Sequence, residues 1–230
     1  MNKKRIIYIG ILVTCIVIYF IFLGLILNAS EPLVIDYGMR DFCYTIRGEK
    51  NGFIYWFFRI VTEFGYIYFT VGLLVLSIFL FRLDNRFFSI LFGVILATSL
   101  QMAFKDIVNR ERPLEEFRWM YEKSTSFPSG HSTNISIMSV FFIYIFYEAK
   151  YSKKVKIIGI SSISIIWVLV LLSRMILGVH YLSDVIAGTM LGSSVGLLSI
   201  GIHILFNKYE MLNKPLIFKK KNNWLFYEEA

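Results

Sequence analysis

Three separated stretches of the chain carry side chains that could do chemistry together. The first holds Lys105, Arg112 and Pro113. The second reads Pro128-Ser129-Gly130-His131. The third holds Ser173, Arg174, His180 and Asp184. His180 and Asp184 are four apart, a spacing that puts both on one face of a helix, within hydrogen-bond reach. A carboxylate that fixes the tautomer of a histidine is the orienting half of a catalytic relay. Guanidinium groups grip phosphate oxygens in pairs, and a lysine adds a point charge. Pro128 and Ser129 are good helix-start residues, and Gly130 lets backbone approach a ligand closely. The free N–H groups of such a start bind an anion. Two histidines, one carboxylate, three cations and an anion-ready helix start together describe metal-free phosphoryl transfer. One histidine would be the nucleophile and the other the general acid and base, with the cations holding the transition-state charge. Taken singly, each cluster has a plainer reading as a capped helix start, an interhelical hydrogen bond or a snorkelling anchor. Arg118 and Lys123 have no motif partner and read as anchors.

The elements that must position these residues are membrane-like. The 230 residues are 57% hydrophobic and only 17% charged, with 22 Phe, 14 Tyr and a mean hydropathy of +0.63. Soluble domains carry about 25% charged residues. A charged side chain at a bilayer centre costs roughly 2.5–3.5 kcal/mol, so Arg174, His180 and Asp184 inside such a chain read as functional. The expected fold is all-α: a polytopic membrane protein with six transmembrane helices in one bundle plus short interfacial helices. The spans are expected near 6–27, 66–81, 87–104, 131–147, 157–172 and 181–206, each long enough or nearly so to cross a core of about 30 Å. Lys3, Lys4 and Arg5 before an apolar run resemble a signal peptide, but the run is too long for one and reads as a retained first span. Residues 28–52 are a polar excursion, part of which suits a helix lying on the membrane. Gly188, Gly192 and Gly196 recur at four-residue steps, which suits close helix packing. One membrane-embedded domain is expected over 1–230, with core motifs over 105–184 and a basic cytoplasmic tail over 207–230.

Charge sets the expected orientation. Lys3–Arg5, Arg82, Arg86, the lysines at 150, 153, 154 and 156, and the tail all fall on one side of a six-span chain. By the positive-inside rule that side is cytoplasmic, with both termini, in a plasma membrane. The loops 28–52, 105–130 and 173–181 then face outward, and the three motif clusters share the outer surface. The net charge of +8 reads as topology plus attraction to anionic lipid, not as nucleic-acid binding. Cys15 and Cys43 supply no disulfide framework, zinc or redox motif. Three histidines, with His203 far down the last span, give no metal-ligand set of the usual spacing. His203 reads as a packing residue.

The order Lys105-x6-Arg112-Pro113, then Pro128-Ser129-Gly130-His131, then Ser173-Arg174-x5-His180-x3-Asp184 resembles the three-part signature of the type 2 phosphatidic acid phosphatase superfamily. All three parts are present without a substitution. The resemblance implies that His180 attacks phosphorus and becomes phosphohistidine, that Asp184 orients it, and that His131 protonates the leaving oxygen and then activates water. Lys105, Arg112, Ser129, Gly130 and Arg174 would bind the phosphate, with no metal and no cofactor. The short six-span bacterial members are the most similar. They imply a bilayer-embedded enzyme acting on a lipid phosphate such as phosphatidylglycerol phosphate, undecaprenyl pyrophosphate or phosphatidate. Other readings share these residues: a phosphotransferase to a lipid or sugar hydroxyl, a vanadate-dependent haloperoxidase, and a non-enzymatic transporter with a charged passage. The motifs address the departing phosphate and leave the lipid and the oligomeric state open.

Overall fold

The computed structural model describes residues 3–81 and 83–208, the side chains of 3–5, 80 and 81 excepted. Arg82 and the basic tail from 209 onward lie outside the described residues. Eight α-helices follow in order: α1 (Lys3–Leu27), α2 (Val34–Ile46), α3 (Phe53–Val61), α4 (Ile67–Phe81), α5 (Asn85–Val108), α6 (Gly130–Glu148), α7 (Lys153–Ile176) and α8 (Leu182–Lys208). A one-turn 3₁₀ segment, Thr62–Gly65, joins α3 to α4. The protein is all-α and membrane-embedded in character. Four helices, α1, α5, α7 and α8, are long and apolar enough to cross a bilayer. The pair from Phe53 to Phe79, bent by 52° at its break, passes the same test as one unit.

Of the six expected spans, four are therefore met by single helices and a fifth, α4, only when joined to α3. The exception is α6. Its first half carries Ser132, Thr133, Ser136 and Ser139, all buried, because this face is turned to protein and not to lipid. Trp167 of α7 donates to the Ser136 hydroxyl at 2.8 Å, and Thr133 donates to the carbonyl of Ser129 at 3.0 Å. Polar residues with partners inside a bundle lower a helix's hydropathy without making it unstable there.

α8 forms the centre of the bundle and packs on α6, α1 and α5. The core between them includes Leu23, Ile90, Val94, Phe141, Leu191 and Val195. The glycine stripe of α8 is used on α6. A methyl at Gly188 would lie 2.5 Å from the Ser129 carbonyl oxygen, and one at Gly192 would lie 2.3 Å from that of Thr133. Backbone thus meets backbone along the line that joins the second and third motifs. By contrast, α2 packs on α7 and α8 and α3 on α7, at the end of the bundle where those motifs sit. Their outer faces expose Val34, Phe42, Phe53, Trp56 and Ile60, the pattern of helices lying on a membrane surface.

Helix ends fall where local chemistry dictates. Asp84 caps α5, accepting from the Arg86 N–H at 2.8 Å. The helix runs to Val108, four residues past the expected end of the span, so Lys105 stands on its last turn and not in the loop. A cation in a last turn is favoured by the helix dipole. Asn109, at φ 44°, closes the helix in the left-handed conformation, with its N–H on the Lys105 carbonyl. Ser129 caps α6 as expected. Gly178, at φ 70°, turns the chain out of α7, and a methyl there would lie 1.9 Å from the Phe117 carbonyl oxygen.

Candidate active site

The C-terminal ends of α5 and α7 and the N-terminal ends of α6 and α8 meet at one end of the bundle, under the 109–129 loop. A cavity of about 200 Å³ opens there. Its walls include Lys105, Arg112, Gly130, His131 and His180, together with Gln101, Glu122 and Asn134. Residues from all three sequence clusters therefore face one space.

His180 lies outside the helices, within the 173–181 loop expected before the last span. It lies in the turn before α8, with its backbone N–H on the Arg174 carbonyl at 3.2 Å. Asp184 sits in the first turn of α8 and is fully buried. The i, i+4 pair forms all the same, because the turn folds His180 back over the helix start. Nδ1 of His180 is 3.5 Å from Asp184 Oδ2. The same carboxylate oxygen accepts the Tyr181 N–H at 2.9 Å and the Ser126 hydroxyl. That hydroxyl is also 3.4 Å from His180 Nδ1. An acceptor cluster on this side assigns the ring proton to Nδ1. The Nε2 lone pair is then left facing Arg112, whose Nη1 is 3.1 Å away. Burial, and after it the charges of Arg112, Arg174 and Lys105, hold the His180 pKa well below 6.5. The imidazole is neutral at pH 7, as a nucleophile requires.

Arg112 is fixed by its surroundings before any ligand arrives. Its Nε donates to the Ser124 carbonyl at 2.6 Å and its Nη1 to the Val179 carbonyl at 2.7 Å. Burial lowers its pKa to about 10, so it stays cationic at pH 7. Lys105 donates to the Thr125 carbonyl. His131 is buried against Gly65, where a methyl would lie 2.9 Å from its Cβ and Cδ2. Its Nε2 has no hydrogen-bond partner among the described residues. It stands on the first turn of α6, in the positive field of the helix start.

Two expected phosphate-site residues stand back from the cavity wall. Ser129 is fully buried, where its hydroxyl accepts from the Ser132 N–H and its own N–H donates to the Asp184 carbonyl at 3.1 Å. It ties α6 to α8. Arg174 is also fully buried and donates to Glu122 Oε1 and to Thr62 Oγ1, each at 2.5 Å. Ser173 donates to the Val170 carbonyl and does not reach the cavity wall. Among the described residues no three His, Cys, Asp or Glu side chains gather as metal ligands would.

Several residues at the site lack a motif and were passed over in the sequence. Glu122 carries the carboxylate that faces Arg174. Ser126 sits between His180 and Asp184. Arg110, two residues before Arg112, reaches Asp184 and Ser183, and also Asp36 of α2 at 2.8 Å. The R-E-R-P spacing was a usable signal for Arg110. Nothing local marked Glu122 or Asp36.

A helical membrane bundle with histidines and guanidinium groups around a small open cavity at one end defines a class of protein. The sequence profile of the PAP2 superfamily matches residues 86–208, and the chain belongs to that superfamily. A stretch of 98 residues is 37% identical to phosphatidylglycerophosphatase B of Bacillus subtilis (strain 168), covering 40% of this chain. That match spans 46% of the relative's length. The fold is similar to the crystal structure of a transmembrane PAP2-type phosphatidylglycerolphosphate phosphatase from Bacillus subtilis. The TM-score is 0.71 at 25% identity, over 86% of this chain and 96% of that one. Aquifex aeolicus LpxE shares the fold, with a TM-score of 0.57 at 20% identity over 75% and 99% of the two chains.

Proposed function

We propose that this protein is a lipid phosphate phosphatase that removes a terminal phosphate through a phosphohistidine intermediate. The observation that carries the reading is the meeting of Lys105, Arg112, His131 and His180 at one 200 Å³ cavity. A phosphate group is small enough for that space, and the cations and the α6 start supply its counter-charge.

In this reading the Nε2 lone pair of His180 attacks phosphorus in line with the departing oxygen. The N–P bond forms as the P–O bond breaks, and His131 gives its proton to the leaving lipid oxygen. Lys105, Arg112 and the Gly130 N–H hold the equatorial oxygens, and Arg174 joins them once Glu122 yields it. A water then attacks the phosphohistidine, His131 takes the water's proton, and inorganic phosphate leaves with His180 restored. Asp184 holds the Nδ1 proton throughout. The charge and proton transfers are all assigned to groups of the protein, so this mechanism calls for no metal.

The substrate class follows from the setting. The names of the relatives favour phosphatidylglycerol phosphate, and undecaprenyl pyrophosphate and phosphatidate present the same terminal group. The exposed apolar faces of α2 and α3 would lie in the headgroup layer beside the site. In this reading the positive-inside pattern supports that layer lying outside the cell with both termini cytoplasmic, and residues 1–230 act as one domain. Transfer from His180 to a lipid or sugar hydroxyl is the second reading, since it uses the same residues. The test is phosphate release by purified protein from the three lipids and a soluble ester, without an added acceptor. Release from one or more lipids that is lost in His180→Ala supports the phosphatase. Turnover only with an added acceptor supports the transferase. Full activity in His180→Ala refutes both.

A further inference from the structure

Behind His180 and Asp184, away from the cavity, lies a second layer of charge. Asp36 of α2 is fully buried. It accepts the Ser183 N–H and the Ser183 hydroxyl, each at 2.8 Å, and the Leu33 N–H at 3.1 Å. Between this carboxylate and Asp184 stands Arg110, with Nη2 on Asp36 and Nη1 on Asp184 and on Ser183 Oγ. The guanidinium plane also lies 4.5 Å over the Tyr181 ring. Arg110 is absent from the walls of the phosphate-sized cavity. It borders a neighbouring open groove beside Arg112 and Tyr181, and its hydrogen bonds go to Asp184, Ser183 and Asp36.

We propose that Arg110, anchored by Asp36, is the positioning residue of the catalytic pair, fixing the Asp184 carboxylate and setting how strongly it pulls on the His180 proton. The inference rests on the phosphatase reading above and adds to it a part that the three motifs do not contain. Asp184 has two oxygens and two duties. Oδ2 faces His180, Ser126 and the Tyr181 N–H, while Oδ1 is held by Arg110. Were Oδ1 free, the carboxylate could rotate about its last bond and leave Nδ1 unsupported. Charge matters as well as geometry. An unopposed Asp184 beside His180 would favour the imidazolium, whose Nε2 carries a proton and cannot attack. Arg110 offsets that carboxylate and so works in the same direction as burial and the other cations, which hold the ring neutral. Asp36 has the reciprocal part: it stops Arg110 from settling entirely on Asp184, and it ties the membrane-surface helix α2 to the first turn of α8.

The charged and titratable groups around the pair all bear on the pH argument. Facing His180 are Lys105 of α5, His131 of α6, Arg174 of α7, Asp184 of α8, and Arg112 and Glu122 of the loop. Facing Asp184 are Arg110, Tyr181 and, one layer out, Asp36. Removing Arg110 takes a positive charge from this set, which raises the His180 pKa. Removing the Asp36 charge does the reverse or nothing, because Arg110 then serves Asp184 alone.

The test uses full-length protein in detergent micelles with a phosphorylated lipid and inorganic phosphate as the inhibitor. For Arg110→Gln, kcat should fall roughly tenfold or more. The acid limb of kcat/KM should move up by about one pH unit, while inhibition by inorganic phosphate stays within threefold. Arg110→Lys should return the limb to its wild-type position without restoring kcat. Asp36→Asn should lower kcat without moving the limb upward. A limb that stays fixed in Arg110→Gln, or weaker phosphate inhibition in step with the lost rate, overturns the inference and leaves the phosphatase reading standing. If Arg110→Gln does not fold, Arg110→Lys decides by rate: a kcat still roughly tenfold down supports the inference, and a kcat within twofold of wild type overturns it. Wild-type protein that releases no phosphate from any lipid overturns both.

Discussion

Gly188→Ala tests whether the spacing of α6 and α8 sets the site. A methyl at Gly188 would lie 2.5 Å from the Ser129 carbonyl oxygen and 3.0 Å from Ser132 Cβ. Ordinary contact begins near 3.4 Å, so the helices must part by roughly 0.9 Å. The obstacle is backbone at the first turn of α6, which has no rotamer to escape into. Ser129 to His131 would move as a unit away from His180 and Asp184. A displacement of about 1 Å in a reacting pair lowers the rate about 10²-fold. Overpacking of this kind destabilises by about 1–3 kcal/mol, which leaves a folded protein with a lower melting temperature. The assay is kcat for phosphate release in detergent, beside a thermal melt. Gly72→Ala is the control, since a methyl there meets no atom within 4 Å. We expect a kcat about 10²-fold lower for Gly188→Ala and unchanged for Gly72→Ala. A folded Gly188→Ala with kcat within twofold of wild type would refute the reasoning.

Other outcomes follow from the same geometry. The acid limb of kcat/KM should inflect below pH 6.5, because burial and three cations hold His180 neutral to lower pH than a free histidine. An aryl phosphate serves here, with the limb corrected for the ester's own ionisation near pH ~6; an inflection above 6.5 contradicts the assignment. Excess EDTA should leave phosphate release unchanged, and a strict Mg²⁺ requirement would rule out the metal-free mechanism. Glu122→Gln should lower KM severalfold by freeing Arg174 for the phosphate, whereas a raised KM would mean that Glu122 organises the site.

Much of this was readable in the residues because the chemistry is concentrated in three local strings. Lys105, Arg112, His131 and His180 were named from types and spacing, and all four line the cavity. Hydropathy located four of the expected spans as single apolar helices and a fifth, α4, only together with α3, while α6 falls below that level. It could not foresee that α6 hides its serines against α7 and α8, since hydropathy does not record which face is turned to lipid. The His180–Asp184 spacing suggested a shared helix face, with a turn over 173–181 just before it. Gly178, in the left-handed region, and the carbonyl of Arg174 hold His180 in a turn that arrives at the same contact. Arg174 and Ser129 were expected at the phosphate but stand behind the wall, one paired with Glu122 and the other binding α6 to α8. Pairings such as Arg110 with Asp36 span dozens of residues. They exist only because α2 folds down onto the start of α8, and no local pattern encodes that.

The roles of the two histidines can be separated by trapping the intermediate. Protein incubated with a ³²P-labelled aryl phosphate, whose leaving group needs no proton, and quenched in alkali should carry label that is stable to base and labile to acid. The label should map to His180, accumulate further in His131→Ala, where water is no longer activated, and vanish in His180→Asn. Label on another residue, or label that survives in His180→Asn, would contradict the account.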